Sequence, residues 1–372
     1  MPMKYFWSTL LIFIAFNLEA QRLNQKELVL YDKNYVVTAF VGFENDSCFL
    51  FLSAPSYQYR CNLSLYRVHD RKIDLYQEKN LFFSDSVTQI WHKIPLGPIS
   101  GFAALELKIQ SDMAQTFYHQ IFYENEMLPS SLLMNYLDGK TYWNIENRFI
   151  FKKGREHILL YNYSSKLEIA PPPYSSRDGK LTPDSFVFQF KFDQDTSFYF
   201  ENKGLYRLED SQGKYCNFLV VDGSFPTITT VNSLVQLLRY ISKNEEYVEM
   251  LNAENKKTSL DKFWLERNKN QIEAKRLISL YYNRAKESNR FFSDMKEGWQ
   301  TDRGMMYIVF GRPDMVRKSI GKEIWYYTAK NGRYPMEFVF LHTDGQWILN
   351  RYDKLRDDWN QEMFLWRSGK AK

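Results

Sequence analysis

Short apolar or alternating runs recur along the first part of the chain at roughly the spacing of a β-sandwich, over 27–31, 35–43, 48–53, 61–68, 103–110 and 116–123. Turn-forming groups such as Glu44-Asn45-Asp46-Ser47 and Leu96-Gly97-Pro98 separate them, because these residue types accept the dihedral angles that reverse a chain. The pattern predicts an antiparallel sandwich over 21–125. Residues 126–140, with Leu128-Pro129-Ser130-Ser131 and Asp138-Gly139, read as a linker. Strand-like runs resume over 148–151, 158–163, 186–192, 197–200, 204–209 and 215–221, which predicts a second, smaller Ig-like sandwich over 141–226. Phe186, Phe188, Phe190 and Phe192 alternate along one of these runs and so share a strand face. Core packing is the first reading of that stripe, and a sugar-stacking surface is the alternative. Pro171-Pro172-Pro173 cannot lie inside a central strand and marks an edge or a stiff loop.

After Pro226 the period changes from two to 3.6. Val231, Leu234, Val235, Leu238 and Ile241 line one helical face, with Thr229 or Thr230 as the cap. A second short helix is predicted over 245–252. Thr258-Ser259-Leu260-Asp261 opens a third that carries Phe263 and Trp264. Ala274, Leu277, Ile278, Tyr281, Ala285, Ser288 and Phe292 then form a long amphipathic stripe ending before Gly298. These helices need a sheet to cover, and 305–310, 323–327, 336–342 and 346–349 supply its strands, the last two joined by Thr343-Asp344-Gly345. Residues 227–372 thus read as an α+β domain. The expected fold class is mixed α+β, with two N-terminal antiparallel sandwich modules ahead of a helix-rich C-terminal domain.

The N-terminus adds a destination. Lys4 precedes the apolar run 5–16, which is shorter than the ~20 residues that span a bilayer but long enough for the apolar part of a signal peptide. Leu18-Glu19-Ala20 ends on a small residue, so residues 1–20 are expected to be cleaved, with an uncleaved anchor as the alternative. The mature chain is then expected in the periplasm or at the cell surface, without a transmembrane span. Charge and composition narrow the partners. The 372 residues include 49 Lys+Arg and 44 Asp+Glu, a net charge of +5 with no long block of one sign, which leaves no nucleic-acid footprint. Gly 16 and Pro 12 exclude a collagen-like or low-complexity chain.

Cys48 and Cys61 flank a loop between two strand-like runs, where they either face each other as a disulfide across a hairpin or stay as buried thiols. Cys216 reads as a small buried thiol. The sequence contains no C-x-x-C or H-x-x-x-H, and its His residues are scattered, so no metal site is assigned. Nucleophile-elbow, phosphate-loop, dinucleotide and EF-hand patterns are also missing, so no cofactor and no catalytic residue is assigned.

One motif is specific. Gly298-Trp299-Gln300-Thr301-Asp302-Arg303-Gly304 continues through 305–310 to Gly311-Arg312-Pro313-Asp314, preceded by Phe263-Trp264-Leu265-Glu266-Arg267-Asn268 and Tyr281-Tyr282-Asn283-Arg284 and followed by Trp325-Tyr326-Tyr327. This segment resembles the signature of GWxTD-domain proteins over about 260–350, although Asn268 stands where an acidic residue is commoner. The resemblance implies an exported protein of the Bacteroidota type with β-sandwich modules ahead of the domain, and it implies no established activity.

The letters themselves have a structural account. Gly298 is expected to take a positive φ after the long helix, with Trp299 folding back as an apolar plug. Thr301 and Asp302 are expected to accept backbone N–H groups and fix entry into a strand at Met305, which Gly311-Arg312-Pro313-Asp314 closes. The functional alternative gathers Asp302, Arg303, Arg312 and Asp314 as a binding or catalytic set with Trp299 and Trp325 as flat apolar surfaces. An extended run of about eight residues spans ~26 Å, so Asp302 and Asp314 are not expected to pair as acid and base. The leading expectation is a non-enzymatic envelope protein that binds another protein or an envelope component. The alternatives are a hydrolase of an envelope or extracellular polymer using Asp302 or Asp314, and a carbohydrate-binding module.

Overall fold

The computed structural model describes residues 38–44, 47–53, 59–69, 72–83, 92–97, 102–111 and 116–124, and everything from 141 onward except 152–156, 164–166, 174, 176–184, 267–270, 320, 329–333, 344 and 353. The expected signal peptide, the run at 27–31 and the linker lie outside the described residues. Two units form. One comprises the described residues up to 140 with 209–216 and 314–337, and the other comprises 141–208, 217–313 and 338–372.

In the first unit, β1 (Thr38–Glu44), β2 (Ser47–Ser53) and β5 (His92–Gly97) form a three-stranded sheet in the order β1-β2-β5. β3 (Tyr59–His69), β4 (Lys72–Phe83), β6 (Phe102–Ser111) and β7 (Thr116–Glu124) form a second sheet in the order β4-β3-β6-β7. All their pairings are antiparallel. Cys61, Leu63 and Leu65 of β3 are buried while Asn62 between them is exposed, the two-residue alternation of a half-buried strand. β4 and β5 have no counterpart in the sequence reading. β4 is an outer strand carrying Glu78 and Lys79, the kind of charges by which an edge avoids further pairing and which also mask its alternation.

Cys61 is a free, buried thiol, and burial pushes its pKa up to about 12. β2 and β3, which carry Cys48 and Cys61, belong to different sheets and are not hairpin partners. Cys216 is a buried thiol as well.

From residue 141 the chain forms β8 (Tyr142–Asn144), β9 (Phe149–Phe151), β10 (Ile158–Tyr163), β11 (Val187–Phe192), β12 (Thr196–Phe198), β13 (Gly204–Glu209) and β14 (Tyr215–Val221). Five of these make a sheet in the order β11-β10-β13-β14-β8, and β9 and β12 make a two-stranded ribbon. β14 and β8 run parallel, so the purely antiparallel expectation does not hold here. The rings of Phe149, Phe151, Phe192, Phe198, Phe200 and Phe218 pack between ribbon and sheet at centroid distances of 5.0–6.2 Å. The phenylalanine stripe is only partly core: Phe192 is 2% exposed, but Phe188 is 53% and Phe190 55% exposed. β11 is the outer strand, and its register against β10 shifts between Leu160 and Tyr161, so the inward face ends near Phe192.

Helices follow: α1 (Val231–Leu237) with a 3-10 turn at Leu238–Tyr240, α2 (Asn244–Asn252), α3 (Lys256–Leu265) and α4 (Gln271–Phe292). Thr230 caps α1 by accepting the Ser233 N–H, and Asn255 caps α3 through the Thr258 N–H. After a 3-10 turn at Gly298–Gln300 comes α5 (Asp302–Phe310). This is the main correction to the sequence reading, which expected a strand over 305–310. Residues 304–310 are buried without interruption, and a short continuous apolar run carries no period by which helix and strand can be told apart.

β15 (Met315–Ser319) and β16 (Lys322–Tyr327) pair antiparallel, with Gly321 at φ +65 in the turn. β17 (Met336–Thr343) and β18 (Gln346–Leu349) pair in the same way, and α6 (Lys354–Arg367) ends the fold. α6 was not anticipated, yet Leu355, Trp359, Glu362 and Trp366 recur at helical spacing and are buried. Trp366 donates its indole N–H to the Val309 carbonyl, 2.9 Å away. Arg367 holds Glu246 of α2 through two bonds of 2.6 and 2.8 Å. Among the described residues no helix is long and apolar enough to cross a membrane.

Candidate functional site

The Gly-Trp-x-Thr-Asp signature lies in the second unit, where it packs α5 against α4. Gly298 is needed for close approach, since a Cβ there would sit 1.8 Å from the Ser288 carbonyl oxygen. It is not among the positive-φ glycines, which corrects the expected role. Gly304 serves the same purpose one turn later, where a Cβ would sit 1.8 Å from the Gly298 carbonyl oxygen. Thr301 is the N-cap of α5: its Oγ1 accepts the Gly304 N–H at 3.0 Å and donates to the Gly298 carbonyl at 2.8 Å.

Trp299 is 1% exposed. Its backbone N–H donates to Asn289 Oδ1 at 3.1 Å, its carbonyl accepts Tyr240 OH at 3.0 Å, and its indole N–H donates to Glu297 Oε2 at 3.0 Å. Asn289 in turn donates to the Pro226 carbonyl at 3.0 Å. Every polar handle around the tryptophan is therefore matched.

Asp302 is also buried and opens α5, where a negative charge suits the helix N-terminus. The backbone N–H it accepts comes from a strand distant in sequence. Oδ2 accepts the Leu349 N–H of β18 at 2.9 Å, and Oδ1 meets Arg351 Nη2 at 3.2 Å. Arg351 also donates to the Pro171 carbonyl at 3.1 Å, which ties the proline run to the same knot. Arg303 lies between the rings of Phe292 and Trp347, 5.2 Å from each centroid. Gly311 ends α5 at φ +83, where a Cβ would meet the Arg284 guanidinium at 2.7 Å. Arg284 donates to the Ile308 and Val309 carbonyls at 3.1 Å each, satisfying the end of the helix. Arg312 is exposed and Pro313 buried.

In the other unit, Asp314 accepts both the N–H and the hydroxyl of Thr328 at 2.8 Å. Trp325 is buried, and its indole N–H donates to Glu323 at 2.6 Å. Asp302, Arg303 and Trp299 thus hold a helix in place, and Asp314 and Trp325 serve the β15–β16 pair.

Next to the signature, and wholly within the second unit, lies a cleft of about 640 Å³ lined by residues from 163–169, 203–205, 219–236 and 295–300. Its floor is the apolar cluster Leu205, Leu219, Val221 and Met295, against which Tyr163, Leu167 and Phe225 pack. Its walls carry hydroxyls and amides, including Ser224, Thr227, Thr229, Asn232, Gln236 and Gln300. Lys203 and Asp222 form an ion pair at 2.8 Å, and Ser224 donates its hydroxyl to the same carboxylate. Lys203 first, and then Ser224, hold the Asp222 carboxyl below the usual range.

Glu297, immediately before the signature, also lines the cleft. Its Oε2 takes the Trp299 and Asn289 donors, while burial raises its pKa above the ordinary 4.5 and these two hydrogen bonds oppose that rise. A carboxyl whose folded pKa is raised stabilises the fold fully below its unfolded pKa and loses that contribution as pH climbs through the folded value. The Glu297→Gln variant is therefore expected to lose less stability than wild type as pH rises from about 4.5 upward. Melting temperatures of the two proteins across that range test this, and parallel curves would count against it.

Asn289, Tyr240, Glu297 and Arg351 were not singled out from the sequence, and Arg284 was named only as part of the resemblance to the family's preceding helix. Only Asn289 and Arg284 left a trace, as polar positions on the packed side of an amphipathic helix. Residues 204–368 match the family model of the GWxTD domain. The match begins at β13, so the β13–β14 hairpin belongs with the helices that follow it. No curated protein matches the chain.

Proposed function

We propose, starting from a chain that carries a GWxTD domain over 204–368, that this is an exported, non-enzymatic binding protein of the periplasm or cell surface. In this reading the N-terminal sandwich modules present the domain, and the cleft beside the signature takes the ligand or partner. The observation that carries the reading is that Trp299, Thr301 and Asp302 spend their polar atoms on the fold, while the adjoining cleft offers an apolar floor with scattered polar groups. Such a surface suits recognition.

The cleft is poorly suited to catalysis. Among the described residues no His, Cys or Arg lines it, and the hydroxyl–carboxylate contact of Ser224 with Asp222 uses a carboxyl whose pKa is lowered and which is therefore a weak base. Asp302 and Asp314, the alternative hydrolase carboxylates, each accept a backbone N–H. Affinity capture from envelope extracts tests the proposal. Wild type is expected to retain a partner that the cleft-filling Asn232→Trp variant releases, with the protein recovered from the exported fraction. Turnover by the purified protein with no retained partner would overturn it.

A further inference from the structure

We propose that this cleft is a saccharide site taking an uncharged, polyhydroxylated ligand, an inference that rests on reading the domain as a binding module. A sugar presents C–H faces and hydroxyl edges. The cleft answers both, with the aliphatic floor of Leu205, Leu219, Val221 and Met295 and a rim of side-chain hydroxyls and amides. Each sugar hydroxyl donates and accepts, as do the rim groups, so they pair without net charge. Glu297 supplies the fixed acceptor. Its Oε2 is occupied by Trp299 and Asn289, which orients the carboxylate and leaves Oε1 for the ligand. The volume of about 640 Å³ falls within the ~300–1,000 Å³ of small-molecule sites.

Two competing ligand classes fit less well. An anionic ligand needs cations, but Lys203 is engaged by Asp222 and Lys296 by the Glu168 carbonyl at 2.7 Å. An extended peptide needs an open strand edge for its main chain, but the cleft strands β13 and β14 lie inside their sheet with a neighbour on each side.

The test is calorimetric titration of the full chain with cellotetraose, chitotetraose, maltotetraose, inorganic phosphate and a mixed peptide pool. At least one tetrasaccharide is expected to saturate, with affinity cut tenfold or more in the Asn232→Trp variant and by roughly threefold to tenfold in Gln236→Ala, the loss of one hydrogen bond. Both variants are expected to melt as wild type does, since Asn232 is exposed and Gln236 half-buried. Silence with all three sugars at millimolar concentration, saturation by phosphate or peptide alone, or unchanged sugar binding in both variants would overturn the saccharide assignment. Silent sugar titrations alongside a partner released by Asn232→Trp refute the ligand class alone. A sugar that binds and is cleaved keeps the ligand class and refutes the non-enzymatic reading.

Discussion

The Gly304→Ala variant is expected to lose most of the stability of the GWxTD domain, with the far-UV signal collapsing at temperatures where wild type is folded. The added methyl carbon would sit 1.8 Å from the Gly298 carbonyl oxygen, and neither atom belongs to a flexible side chain that could swing away. Relief requires separating the Gly298–Gln300 turn from the first turn of α5, which breaks the Thr301 cap and the seat of Trp299 together. Overpacking a core costs ~1–3 kcal/mol where side chains can adjust and more where backbone must move, out of a total of about 5–15 kcal/mol. Gly298→Ala, with the Ser288 carbonyl oxygen at 1.8 Å, is expected to behave alike. Thermal unfolding by circular dichroism decides the matter. A midpoint within about 2 °C of wild type would show that the turn is slack and the packing account wrong.

Removing the signature acid gives the second large effect. Asp302→Ala leaves the Leu349 N–H without its acceptor and the Arg351 guanidinium without its counter-charge. Breaking a buried pair costs about 3–5 kcal/mol, and the lower end applies because the Arg351 side chain is 19% exposed. Asp302→Asn keeps an oxygen for Leu349 and is expected to lose less, so the order of urea midpoints should be wild type, Asn, Ala. A D302A protein that unfolds like wild type but fails to retain its partner would move the carboxylate from scaffold to function.

The sequence was informative where a period stood out, although the helical spacing of α6 was missed. α1 and α4 were legible from apolar residues at 3.6-residue spacing, and β17 and β18 from a turn with glycine at its end. Legibility failed in three physical situations. A run buried on every side, 304–310, has no polar face to betray its period. A charged outer strand such as β4 hides its alternation beneath the groups that protect it. The phenylalanine stripe of β11 has the right spacing but reaches past the core it was expected to fill.

The family signature was visible as letters, yet half of its meaning lies in residues distant in sequence. Asn289, Tyr240, Leu349 and Arg351 complete it, and no spacing rule connects them to Trp299 or Asp302. The cleft was invisible for the same reason, since its lining comes from four separate stretches of chain.

The Trp299 indole, buried and hydrogen-bonded to Glu297, which also lines the cleft, gives the molecule a built-in optical probe. A ligand that engages the free oxygen of Glu297 alters the charge distribution beside that ring, so occupancy should register as a change in intrinsic emission without any label. Trp299→Phe would erase the signal while Trp325, Trp359 and Trp366, which are equally shielded, continue to report whether the protein is folded.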